Sequence, residues 1–132
     1  MFVFADKGKT MSICIITAIF PLLIEAQHLV LTEVEEFGYN PGNLRLLHHV
    51  PFISDLDSSA LVVVLHGCGQ NARSVAKLTG WNKLADSLGF HVLYPQTRSL
   101  NNATRCFNWF SKEHNKRDNG EVRSIHSQVK YM

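Results

Sequence analysis

One continuous stretch does most to constrain this fold: the apolar run Leu61–Leu65 passes directly into His66-Gly67-Cys68-Gly69-Gln70. Consecutive β-favouring apolar residues predict a strand buried on both faces, as in a parallel sheet. The glycines then allow backbone N–H groups of the loop to approach a ligand closely. Because a helix-like segment follows, the three elements together can direct backbone donors at an anion or a developing oxyanion. The stretch therefore indicates a functional site.

The remaining strand patterns predict a compact α/β unit. The segment His28–Val34 is expected to form an initial strand. Apolar residues alternate along Leu44–Val50, which predicts an antiparallel strand that stops at Pro51. A further short apolar strand is expected at Phe90–Tyr94, ended by Pro95.

Two helical stretches are expected between the Gly-rich loop and the last predicted strand. Ser74 is the expected N-cap of the first, which runs through Leu78 before Gly80 interrupts it. The second contains Trp81–Leu88, with apolar residues at helical spacing, and Gly89 provides a C-terminal stop.

The last segment predicts a helix that begins near Gly120 or Glu121. One face of it carries a set of apolar residues at helical spacing: Val122, Ile125, Val129 and Met132. We expect this face to be buried and the helix to lead into another parallel strand, which the sequence does not contain.

Length and composition bound the class of protein. The 132 residues suffice for one domain or part of one. An apolar fraction of 45% and a charged fraction of 18% are typical of a soluble globular protein. A formal net charge of +2 is too small to argue for nucleic acid or an anionic membrane as a partner.

The N-terminal segment has the pattern of an export signal. Two lysines precede the uncharged stretch Thr10–Ile24, which is too short to span a bilayer comfortably, and cleavage is expected after Ala26. This divides the chain into a signal peptide at 1–26 and a domain at 27–132, and predicts a secreted or periplasmic protein. A buried core helix is the alternative, and translation from Met11 would remove both lysines.

Cysteine usage agrees with export. Cys14 lies in the segment that would be removed, which leaves Cys68 and Cys106 as an even pair in an oxidising compartment. We predict a disulfide between them that ties the Gly-rich loop to the loop at 108–110. The alternative is two free thiols in a reducing cytosol.

Short motifs follow one another along residues 37–132. They are FGYNPGNLR at 37–45, VVVLHGCGQ at 62–70, GWNKLA at 80–85, GF at 89–90, YPQ at 94–96, CFNWF at 106–110 and RDNGE at 117–121. Together these motifs resemble the poly(3-hydroxybutyrate) depolymerase esterase family. The resemblance implies the N-terminal portion of an α/β-hydrolase fold, with a mostly parallel sheet flanked by helices. It also implies a secreted serine esterase that needs no cofactor and acts on poly(3-hydroxybutyrate) or related short-chain esters.

The resemblance also gives the Gly-rich loop a role. In α/β-hydrolases a loop after an early central strand supplies one backbone N–H of the oxyanion hole. Here that donor is expected to be Cys68 or Gly67, with His66, Gly69 and Gln70 as the supporting loop. The alternative is that the glycines serve only a tight strand-to-helix turn.

The chain departs from the family in lacking a nucleophile. No Gly-x-Ser-x-Gly elbow occurs, and Ser111, Ser124 and Ser127 do not sit at a glycine-bracketed strand-to-helix turn. His126 lies in the last helix, where a half-exposed surface residue is expected. We therefore predict an esterase truncated before the nucleophile elbow, without a triad and inactive alone. The alternative is a non-catalytic remnant or an accessory or binding protein.

Two other site chemistries are not expected. His48 and His49 are adjacent on a strand and point to opposite faces, and His66 and Cys68 lack the paired spacing of a zinc site, so no metal is predicted. A Cys68 thiolate nucleophile conflicts with the predicted disulfide.

The aromatic residues Trp81, Trp109 and Phe110 could stack on a polymer or sugar. Core packing is the commoner fate of such side chains, and it is the expectation here.

Overall fold

The structure, a computed structural model, describes residues 30–52 and 60–132. The predicted signal peptide at 1–26 lies outside these ranges. The elements in chain order are β1 (Thr32–Val34), β2 (Arg45–His49), β3 (Leu61–Val63), α1 (Ala72–Thr79), α2 (Trp81–Leu88), β4 (His91–Gln96) and α3 (Gly120–Tyr131). The α/β class is confirmed. Within the described ranges, no helix has the length and apolar character that crossing a bilayer would require.

The strands form one mixed sheet in the order β1-β2-β4-β3. β2 pairs antiparallel with both β1 and β4, as its alternating pattern predicts. β3 pairs parallel with β4, and Val62 lies opposite Val92. The expected first strand is shorter than predicted within the described residues, because pairing with β2 begins at Thr32.

β3 is less buried than its sequence predicts. The strand ends at Val63, whose exposed fraction is 39%, and Leu65 beyond it is 51% exposed. The prediction of a strand buried on both faces is therefore wrong. The reason is position: in the described sheet β3 is the edge strand and has a partner on one side only.

The prediction that Pro95 ends β4 is wrong, because Pro95 lies within the strand. His91 N–H donates to Ala60 O and Leu93 O accepts from Val64 N–H, so alternate residues of β4 face β3. By this alternation Pro95 also faces that side, beyond Val63, where β3 has ended. The missing N–H of the proline therefore removes no ladder bond.

The two central helices meet at glycines, as predicted, but α1 begins earlier than expected. Its N-cap is Asn71, whose side chain accepts from Ser74 N–H, while the Ser74 hydroxyl accepts from Asn71 N–H in a capping box. Gly80 (φ 71°) separates the helices and Gly89 (φ 75°) ends α2, and both adopt the left-handed conformation. Ser74 is thus the third residue of α1 and not its cap.

The main core lies between the sheet and the helices α1 and α2. Its buried members include Leu47 and Val92 from the central strands and Val75 and Ala85 from the helices. Tyr94 is fully buried there and donates its hydroxyl to Asn82 Oδ1 at 2.6 Å. Burial raises the pKa of the Tyr94 hydroxyl.

α3 buries its polar face, which reverses the prediction. Val122 and Val129 are each 39% exposed, whereas Ser124 and Gln128 are fully buried. The cause is the backbone that α3 meets. Gly42 N–H donates to Ser124 Oγ at 2.8 Å, and Gln128 Nε2 donates to a backbone carbonyl of β2 at 3.2 Å. These backbone groups need polar partners once they are removed from water.

The adjacent histidines of β2 point to opposite faces, as predicted. His49 Nε2 lies 2.8 Å from Asp86 Oδ1 on α2. His48 lies on the other face, and its pKa is lowered first by burial and then by the nearby charges of His91 and His49. Within the described residues, neither His48 Nδ1 nor His91 Nδ1 has a hydrogen-bond partner.

We expect His48 to make the protein acid-sensitive. Because its folded pKa lies below the ordinary 6.5, the unfolded chain binds its proton first. Stability is therefore fully present above about pH 6.5 and falls as the pH drops towards the lower folded value. Urea unfolding at about pH 7.5 and pH 5 should show a smaller acid loss in His48→Gln than in the unaltered protein. Exposed His126→Gln is the control, and an acid loss in His48→Gln equal to that of this control would contradict the prediction.

Candidate active-site loop

The Gly-rich loop at 66–70 joins β3 to α1 and is tied to the segment that follows β4. His66 is buried, whereas the loop residues after it are exposed. The predicted disulfide between Cys68 and Cys106 is present. Gly69 N–H also donates to Thr104 O at 2.8 Å. The loop is thus held covalently and by backbone pairing against residues 104–106.

His66 is fixed in one tautomer. Its Nε2 accepts from Thr97 N–H at 3.2 Å, and an amide can only donate, so the ring proton belongs on Nδ1. Nδ1 lies 2.9 Å from Gly67 O and donates to it. The ring also packs on Phe107, with centroids 4.9 Å apart. His66 therefore holds the carbonyl of the residue that follows it.

This contact sets the direction of the Cys68 N–H. Gly67 O also accepts from Gln70 N–H at 3.1 Å, so two donors hold it inside the turn. In a planar trans peptide the carbonyl and the next N–H point in opposite directions. The Cys68 N–H consequently points away from the turn, and no acceptor for it exists among the described residues.

The other predicted donor is engaged. Gly67 N–H donates to Gln70 Oε1 at 2.8 Å, so this amide is paired within the loop. In the first turn of α1, Ala72 N–H donates to Gln96 Oε1 and Ser74 N–H to Asn71 Oδ1, so these two amides are paired as well. Of the two predicted donors, the N–H of Cys68 is therefore the one without an acceptor among the described residues.

Replacing Gln70 tests this local arrangement. Gln70→Ala removes the acceptor of the Gly67 N–H, so hydrogen exchange at that amide should accelerate, with a stability loss of about 1 kcal/mol. Gln70→Glu keeps an oxygen at the same reach and should preserve slow exchange. Amide exchange measured by NMR checks both variants, and equal protection of Gly67 in the two would contradict the assignment.

The structure does not bring the remaining candidate residues to this loop. Ser124 Oγ is buried and donates to Gly120 O within α3. Ser127 is also buried in α3, and His126 is exposed on it beside Arg123. Because its sulfur is bonded to Cys106, Cys68 cannot act as a thiolate nucleophile. Within residues 30–52 and 60–132, no group of three or more His, Cys, Asp or Glu side chains is placed to hold a metal ion.

Sequence reasoning did not predict the residues that hold the Gly-rich loop and the segment after the disulfide in place. Thr97 contacts His66 and donates its hydroxyl to Arg105 O at 3.1 Å. Buried Glu121 accepts from Asn108 N–H at 2.6 Å and from its side-chain amide at 2.9 Å. No local pattern marks these residues, because each acts through a partner distant in sequence.

The aromatic residues divide between core and surface. Trp81 packs edge-on against Phe90 beside the main core, as expected. Trp109 and Phe110 form an edge-to-face pair but are 72% and 63% exposed, so the expectation of core packing is wrong for them. The short loop after the disulfide turns both side chains outward, while Asn108 is held inward by Glu121.

Comparison with known proteins shows what this chain is similar to. The sequence profile of the family described as "Esterase PHB depolymerase" matches residues 45–132. The chain is 46% identical over 103 residues to poly(3-hydroxyalkanoate) depolymerase C of Paucimonas lemoignei, which covers 77% of this chain and 24% of that protein. It is 31% identical over 123 residues to feruloyl esterase B of Talaromyces funiculosus, which covers 91% of this chain and 32% of that protein.

A solved structure shares the fold. The acetyl xylan esterase from Aspergillus awamori superposes with a TM-score of 0.68 at 24% sequence identity, over 77% of this chain and 36% of that one. The chain thus spans about a quarter to a third of the length of these relatives. The described sheet and helices are those expected for part of an α/β-hydrolase domain. The family match over two thirds of the sequence, together with the relatives, shows that this chain belongs to the PHB depolymerase esterase family.

Proposed function

We propose that this chain provides the oxyanion loop of a secreted serine esterase that hydrolyses poly(3-hydroxybutyrate) or related short-chain carboxylic esters. The observation that carries the proposal is the Cys68 N–H, which points outward from a turn held by His66 and Gln70. Secretion is supported by the N-terminal sequence pattern and by the disulfide.

The proposed chemistry is acyl transfer. A serine oxygen bonds to the ester carbonyl carbon, whose oxygen takes up the negative charge of the tetrahedral intermediate. The Cys68 N–H donates to that oxygen, so the charge is stabilised without reorganisation of the loop. The C–O bond to the alcohol then breaks, the alcohol leaves with a proton, and water releases the acid by the same steps. The exposed pair Trp109 and Phe110 offers an apolar surface for a polyester chain.

The nucleophile of this chemistry is not identified within residues 1–132. The sequence has no Gly-x-Ser-x-Gly segment, and neither Ser124 nor Ser127 is accessible. This favours a second candidate, a non-catalytic accessory or remnant protein. We propose that the isolated chain does not hydrolyse p-nitrophenyl butyrate above the buffer rate.

A chimera separates the two candidates. In it, the matched 103 residues of this chain replace their counterpart in the Paucimonas lemoignei depolymerase. An intact oxyanion loop predicts an esterase that works, and an inactive chimera that is folded by circular dichroism would favour the remnant.

The role of the amide is tested within the chimera. Cys68→Pro with Cys106→Ser removes both the disulfide and the N–H, whereas Cys68→Ser with Cys106→Ser removes only the disulfide. The proline variant should turn over on the order of 100-fold more slowly than its serine control. Equal kcat values in two folded variants would exclude Cys68 as the donor.

A further inference from the structure

A cavity of about 330 Å³ lies at the end of β4, and Thr97, whose N–H donates to His66 Nε2, is one of its lining residues. Among the residues that the structure describes, arginines make up half of its lining and no acidic residue belongs to it. The lining residues are Arg45, Gln96, Thr97, Arg98, Ser99 and Arg105.

The three arginines differ in whether a carboxylate of the described chain already pairs with the guanidinium group. Arg45 is paired with Glu33 through Nε at 2.6 Å and through Nη2, and this pairing lowers the pKa of Glu33. Arg98 interacts with Glu33 only at longer range. In the described parts of the chain, neither Arg98 nor Arg105 has a carboxylate within 4 Å. Two guanidinium groups at this cavity therefore remain available.

The backbone that carries these two residues is firmly held. Thr97 is buried, with its N–H on His66 and its hydroxyl on Arg105 O. Arg105 adopts φ 54°, a conformation rare for a side-chain-bearing residue, and its N–H donates to Asn102 O at 2.8 Å. The adjacent Cys106 is fixed by the disulfide. The backbone beside both exposed arginines is thus already ordered, so holding a ligand costs the ordering of their side chains and little further ordering of the backbone.

We propose that this arginine cavity binds the carboxylate group of a small organic acid. The planar guanidinium fork matches a carboxylate with two parallel hydrogen bonds. Gln96 uses its Oε1 for Ala72 N–H, which leaves its amide Nε2 as a further donor beside the Ser99 hydroxyl. The volume lies at the small end of ligand cavities. Its described lining includes no glycine and no helix N-terminus, and so differs from the backbone cradle typical of phosphate sites.

The acid could be free or the carboxylate end of a longer ester chain, because both present the same group. The inference depends on the arginines and not on the proposed ester hydrolysis. It can therefore be tested by binding to the full 132-residue chain, whether or not that chain has activity.

The experiment is an NMR titration with butyrate, methyl butyrate, inorganic phosphate and a carboxylate-terminated oligoester. Butyrate should produce saturable shifts at residues 96–105, and methyl butyrate, which lacks the charge, should produce none. Tighter binding of the oligoester than of butyrate would identify a chain end as the ligand, and equal binding would identify the free acid. Saturation by methyl butyrate, or tighter binding of phosphate than of butyrate, would overturn the proposal.

Matched variants locate the site. Arg98→Gln and Arg105→Gln should each weaken butyrate binding at least tenfold, whereas Lys77→Gln, an equal charge change on exposed α1 surface, should leave it unchanged. Arg98→Lys keeps the charge without the fork and should also weaken binding. Wild-type affinity in the folded double variant Arg98→Gln/Arg105→Gln would overturn the assignment to this cavity.

Discussion

Replacing Cys68 and Cys106 together with serine is expected to lower the free energy of unfolding by about 4 kcal/mol. The bond closes a loop of 38 residues, and a covalent closure of this length restricts the unfolded chain by that order. In a domain of this size the melting temperature should fall by roughly 15 °C. Thermal unfolding followed by circular dichroism measures the shift.

The reductant provides an internal control for this prediction. The unaltered protein should melt at the temperature of the double-serine variant once a phosphine reductant is present, and the variant itself should not respond. A melting temperature of the unaltered protein that is insensitive to full reduction would contradict a stabilising role of the bond.

Gly42→Ala is expected to cost about 3 kcal/mol, because the new methyl group would meet backbone atoms. Its Cβ would lie 2.6 Å from Glu121 Cα and 2.8 Å from Glu121 N, so the first turn of α3 would have to move. That movement would also break the hydrogen bond from Gly42 N–H to Ser124 Oγ and leave buried polar groups unpaired. Urea unfolding at neutral pH measures the loss.

Gly80→Ala is the matched control for Gly42→Ala. Gly80 has φ 71° but open space around its Cβ position, so its alanine variant should pay only the backbone penalty, about 1 kcal/mol. A loss in Gly42→Ala no greater than in Gly80→Ala would show that α3 does not pack against Gly42 as described.

The parts of the fold that sequence predicts well are those governed by local preferences. Gly80 and Gly89 delimit α2 because each occupies a left-handed position that glycine adopts without cost. The strand β2 follows from its alternating pattern, although the packing of both faces buries Leu46 and Leu47 alike. The disulfide follows from counting cysteines under the prediction that export removes Cys14.

Prediction fails where a partner distant in the sequence decides the outcome. The buried face of α3 depends on Gly42, 82 residues before Ser124, and nothing within the helix reveals it. The free N–H in the Gly-rich loop depends on the Gln70 side chain and on Thr97, which is 31 residues from His66. Residue type predicts the loop as a candidate site, but only the three-dimensional arrangement distinguishes the Cys68 N–H from the paired Gly67 N–H.

The inverted orientation of α3 changes how sequence variation along it should be interpreted. Its outward valines are each 39% exposed in the described molecule, so exchanging Val122 or Val129 for a polar residue removes less packing than exchanging a fully buried residue. Ser124 and Gln128 make directional hydrogen bonds to backbone groups outside the helix, and a hydrophobic residue of equal size cannot form these bonds. A catalogue of tolerated substitutions would therefore mark Ser124 and Gln128, and not the valines, as the positions that keep this helix in register with the sheet.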